Sequence, residues 1–190
     1  MTAEAIKDMR KKQFILVNAI ILIGMTVYVA IINYTGLNMS YILFTLGAFL
    51  IVQSFFNILK KDLTKSWVPI IEQVNKYEKE IMGKEWKKQN KTAYVINIFV
   101  GAMIMTQAYF MYDISSQHPI SIWFFVILII FLLLTINITM LIHTSKVDNA
   151  KNTSDFKGYT WKFNLIGFVF GLVLAVVIFI LVISFVLSRI

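Results

Sequence analysis

The chain has 190 residues, 58% of them hydrophobic, with a mean hydropathy of +0.74, and carries 18 basic against 10 acidic side chains for a net charge of +8. That apolar share exceeds the roughly 45–50% of ordinary soluble domains, and a globule of this size cannot hide it, whereas a bilayer can, because there the solvent is itself apolar. The absence of cysteine excludes disulfides, thiolate chemistry and cysteine-held metals.

The first apolar run, residues 14–34, follows the basic tail MTAEAIKDMRKK. It is too long for the apolar region of a signal peptide and no A-x-A-like cleavage site follows, so it reads as a retained span. Residues 41–59 form a second run, diluted in its inner half by Gln53, Ser54 and Asn57. Between this run and the third lies segment 60–92, the most charged part of the chain.

After Pro69 that segment turns helical in pattern. Ile70, Val74, Tyr77 and Ile81 fall at i, i+4, i+7 and i+11, a narrow apolar stripe, beside an alternating ladder of Glu72, Lys76, Glu80 and Lys84. Ser66 is the expected N-cap, and Gly83 is expected to end or weaken the helix. Three readings of the stripe stand together. It lies on the membrane surface with its lysines near anionic headgroups, it docks a partner protein, or it packs on the chain's own helix ends.

Three further apolar runs follow, residues 93–112, 120–142 and 164–188. None of the five contains Asp, Glu, Lys or Arg, and each approaches the roughly 20 helical residues a hydrocarbon core requires. The last run carries Gly167, Gly171 and Ala175 on one face, where another helix can approach closely, whether from this chain, a second copy or another membrane protein.

Orientation follows from the lysines and arginines. Threading the N-terminus inside and the C-terminus outside leaves 17 of the 18 on the cytoplasmic side, the exception being Arg189. The expected fold is therefore all-α: a polytopic integral membrane bundle of five transmembrane helices forming one membrane domain, with an amphipathic cytoplasmic segment between spans two and three. Abundant Ile, Lys and Asn suggest a bacterial cytoplasmic membrane.

Asn18, Gln53, Asn57, Asn97 and Asn137 all fall in the inner third of the spans. Such amides either line a cavity for a small neutral ligand or hydrogen-bond helix to helix. The catalytic search is short. His118 and His143 fall on opposite faces, and no metalloprotease, nucleophile-elbow or phosphate-loop pattern occurs. His143, Asp148 and Asp155 share the last cytoplasmic loop without the spacing of a triad or ligand set. The expectation is a non-catalytic protein with no metal site, cofactor or nucleic-acid partner. It would act by protein or lipid contact, as an accessory subunit or an immunity-type protein, and its first partner is a bilayer with an anionic inner leaflet. The competing reading is a passive carrier or channel for a neutral solute.

Overall fold

In an apolar solvent a single segment can satisfy its backbone N–H and C=O groups only by coiling into a helix. The computed structural model describes residues 1–35, 37–110, 112, 122–169 and 171. Among them every regular element is helical: α1 (Ala3–Thr35), α2 (Met39–Leu59), α3 (Pro69–Met82), α4 (Lys84–Phe110), α5 (Ile122–Asp148) and a short 3-10 turn at Thr153–Phe156. Residues 159–169 are helical as well.

Four helices are long and apolar enough to cross a membrane, over Ala3–Ile31, Ser40–Leu59, Lys84–Phe110 and Ile129–Asp148. The expected fifth span, 164–188, lies largely outside the described residues, as do Ala175 and His118.

Three helices outrun their apolar stretches. The 33 residues of α1 measure about 50 Å at 1.5 Å per residue, against a hydrocarbon core of about 30 Å. Its first turns, carrying Lys7, Arg10, Lys11 and Lys12, therefore stand clear of the apolar part. In the same way α5 continues past Ile142 to Asp148, so His143 and Asp148 are helical rather than loop residues. Segment 60–92 likewise is not one unit. Gly83 adopts φ +59, which suits a residue without Cβ, and α4 starts immediately after it and runs through Lys88 and Lys91 into the third apolar stretch. The N-cap of α3 is Val68, with Pro69 at the first helical position; Ser66 instead accepts a hydrogen bond from the Val68 N–H.

The long helices pair two by two. Helices α2 and α4 pack antiparallel along much of their length. At their crossing a Cβ on Gly47 would stand 2.7 Å from the Gly101 carbonyl oxygen, and one on Gly101 would stand 2.8 Å from that of Gly47. Toward the start of α2 the buried Ser40 hydroxyl donates to the Ala108 carbonyl at 2.7 Å, and Tyr41 meets Tyr112 edge-on. Helices α1 and α5 also pack on each other, and α3 reaches both of them as well as α4 and the 3-10 turn.

The buried core sits at the lysine-rich end, not along the apolar helices. It comprises Met9, Leu63, Val74, Tyr77, Met82, Trp86, Val147 and Phe156. Along the spans, side chains such as Ile23, Phe99, Met103 and Ile127 are instead largely exposed. A water-soluble protein reverses this arrangement; it is compatible with a lipid surround, where apolar side chains lose nothing by facing outward.

Candidate functional site

The lysine-rich end is capped by α3, and the expected stripe decides how. Val74 and Tyr77 are buried in the core cluster, with Ile70 and Ile81 packed against it. This corrects the expectation of Ile70, Val74, Tyr77 and Ile81 as a membrane-surface or partner face. Each fully buried side chain of this size contributes about 1.5–3 kcal/mol, more than a surface contact offers, and the helix ends of the same chain are closest to hand.

Beside the stripe lies an ion cluster drawn from three helices. Arg10 of α1, only 7% exposed, is its centre. Its Nη2 donates to Asp148 Oδ1 at 2.8 Å and its Nε to Asp148 Oδ2 at 3.1 Å, a two-pronged grip on α5. Its Nη1 donates to Glu78 Oε1 of α3 at 2.8 Å and to Gln13 Oε1 at 2.9 Å. The guanidinium carbon lies 5.4 Å from the Tyr77 ring centre, within cation–π range. His143 of α5 joins from the other side: Nε2 lies 3.4 Å from Glu78 Oε1 and Nδ1 lies 3.0 Å from the Tyr159 hydroxyl.

The electrostatics follow from this packing. Burial alone would raise the Glu78 carboxyl, but its contacts with His143 and then Arg10 outweigh that and hold it below its usual range. Burial, and then the charge of Glu78, pushes the Tyr159 phenol up to about 12. The phenol thus keeps its proton near neutral pH, 3.0 Å from His143 Nδ1. Burial also raises Tyr77, with the Asp148 charge adding to it. The arrangement is a bridge: one buried guanidinium, shared by the Glu78 and Asp148 carboxylates, ties α1 to α3 and α5. Among the described residues no three His, Asp or Glu side chains are grouped to hold a metal ion.

The five inner amides do not form one cluster. Asn18 and Asn137 exchange hydrogen bonds across α1 and α5 at 2.9 and 2.7 Å. Each also donates to a carbonyl one turn back, Phe14 and Leu133 respectively. Gln53 and Asn57 sit on α2 and Asn97 on α4; Gln53 and Asn97 are exposed. Helical geometry, about 100° per residue, nevertheless places these three on one side of the α2–α4 pair when Gly47 and Gly101 face each other.

In the described part of the last run, a Cβ on Gly167 or Gly171 would meet nothing within 4 Å among the described residues. The close helix contact that does form sets Gly47 on Gly101, and its sequence signal is that each is the sole glycine of its run. Arg10 also left a signal. It is one of two arginines among sixteen lysines, and arginine is the cation suited to a forked carboxylate contact.

Comparison with protein-family models, with curated proteins and with solved structures gives no match.

Proposed function

We propose that this chain is a multi-pass protein of a bacterial cytoplasmic membrane that works by contact rather than by catalysis, as an accessory subunit of a membrane complex or an immunity-type protein. In this reading it has five spans, its N-terminus faces the cytoplasm and its C-terminus lies outside. The lysine-rich end then meets the anionic inner leaflet. The observation that carries the reading is the ion cluster: Arg10 spends its charge on Glu78 and Asp148, in a packed cap that serves to hold three helices together. Two surfaces remain for contact. One is the last apolar run, where Gly167 and Gly171 stand open and offer a close approach to another membrane protein or a second copy. The other is the lysine-rich rim, where Trp67 is 100% and Trp161 71% exposed, as suits indoles at a lipid interface.

Crosslinking in native membranes, followed by extraction in mild detergent, tests this. A stoichiometric partner or a second copy is expected, lost on Gly171→Leu and kept on Asn97→Val. The exposed amides Gln53 and Asn97 on one side of the α2–α4 pair favour a second reading, a passive carrier or channel for a neutral solute. Flux of glycerol or urea into proteoliposomes that Asn97→Val abolishes, with no stoichiometric partner, would replace the contact reading by this one.

A further inference from the structure

A groove at the lysine-rich end runs between residues 61–63 and the α3–α4 junction, rimmed by Lys61, Lys79, Lys84 and Lys87 and floored by buried Leu63 and Trp86. We propose that it binds the phosphate of an anionic phospholipid headgroup. The proposal deepens the lipid side of the contact reading, and rests on it.

The backbone gathers these lysines. On an unbroken helix Lys79 and Lys84, five residues apart, would point about 140° away from each other. The break at Gly83, with its positive φ, turns the end of α3 and the start of α4 toward one depression. Lys84 and Lys87, three apart on α4, then share a face.

The charge is unbalanced. Asp62 is the one carboxylate of the lining, and it is already engaged. It accepts from the Thr64 N–H and hydroxyl at 3.1 and 2.8 Å, contacts that hold it below its usual range, and lies 3.9 Å from Lys79. Lys61, Lys84 and Lys87 form no ion pair among the described residues. Like charges converging around an apolar floor repel one another until an anion joins them.

The depth selects a lipid. Leu59, 64% exposed, closes the apolar helix α2, and Lys61 is the second residue beyond it. Lys87 precedes Ala93, where the third apolar run begins, by about 9 Å along the helix. The headgroup layer is about 5–8 Å thick on each side of the hydrocarbon, so Lys87 stands at its outer edge and Lys61 within it, and the groove opens beside the lipid phosphates.

The test uses the full-length chain in a nonionic detergent, titrated with short-chain phosphatidate, with phosphatidylcholine of the same chains and with inorganic phosphate. Native mass spectrometry counts the bound molecules. One phosphatidate is expected to bind about tenfold or more tighter than phosphatidylcholine. Lys61→Gln/Lys84→Gln/Lys87→Gln should erase that preference and the corresponding triple arginine variant should keep it. Lys7→Gln/Lys11→Gln/Lys151→Gln, an equal change of charge elsewhere, should also keep it. Equal loss in both glutamine triples, or no preference in the native chain, overturns the site. Displacement of phosphatidate by inorganic phosphate at comparable concentration overturns the lipid as its ligand. Each of these failures leaves the partner crosslink of the contact reading standing, whereas a chain that binds phosphatidate but crosslinks to nothing removes that reading's protein side alone.

Discussion

Arg10 and Asp148 stand 138 residues apart in the chain and meet through a forked contact, with Nη2 2.8 Å from Oδ1 and Nε 3.1 Å from Oδ2. The same guanidinium holds Glu78, 68 residues from it. Helices α1, α3 and α5 thus share one cation, and the cap over the lysine-rich end depends on it.

Removing that cation takes the shared partner from two carboxylates, Glu78 buried and Asp148 partly so. Arg10→Met is expected to destabilise the protein by about 3–5 kcal/mol, because an uncompensated buried charge costs more than the pair contributed. Arg10→Lys should fall between the two proteins, keeping the charge but losing the fork. Adding Glu78→Leu to Arg10→Met should restore part of the loss. Thermal unfolding in detergent, arranged as a double-mutant cycle, measures all three; additive losses would show that Arg10 and Glu78 are not coupled.

The same cluster sets an acid limit. The folded-state pKa of Glu78 is depressed below its unfolded value of about 4.5. Its contribution is therefore fully present above about pH 4.5 and is lost as pH falls through the lower, folded value. Among the described residues, Arg10 from α1 and His143 from α5 contact it, Tyr77 of α3 itself and Tyr159 feel its charge, and Asp148 of α5 shares its Arg10. Unfolding midpoints recorded from pH 7 to pH 3 should fall most steeply at the acid end. Glu78→Gln should start lower and fall less; an unchanged slope would remove Glu78 from the acid response.

Glycines in the spans should differ sharply by position. Gly101→Ala puts a methyl group against the Gly47 carbonyl and Ile51, so the helices must part, at an expected cost of about 1–3 kcal/mol. Gly47→Ala meets the Gly101 carbonyl and Met105 and should behave alike. Gly24→Ala has nothing within 4 Å among the described residues and should be neutral or stabilising by up to about 1 kcal/mol, through helix propensity. Unfolding in mixed micelles compares the three, and a tolerant Gly101 would contradict the close crossing.

The amide pair of α1 and α5 gives the fourth test. Asn18→Val strands Asn137 and should cost about 0.6–2 kcal/mol, as should Asn137→Val. The double variant should cost less than the two losses summed, because neither amide is then left without its partner. Equal, additive losses would mean that the pair is not formed.

Much of the architecture was legible along the chain. Runs without charge announce helices of membrane length, since composition and length are local quantities that a bilayer reads directly. The spacing of Ile70, Val74, Tyr77 and Ile81 announced a helix over residues that prove to be α3, for the same reason: periodicity is a property of one segment. Tertiary structure alone decided the rest. It turned that stripe onto the chain's own core, joined Asn18 to Asn137 while leaving Gln53 and Asn97 outside, and set Gly47 against Gly101. It also drew Arg10, Glu78 and Asp148 into one cluster. A side chain's type shows that it needs a partner. Which partner it meets depends on how helices far apart in sequence lie side by side, and no local pattern encodes that.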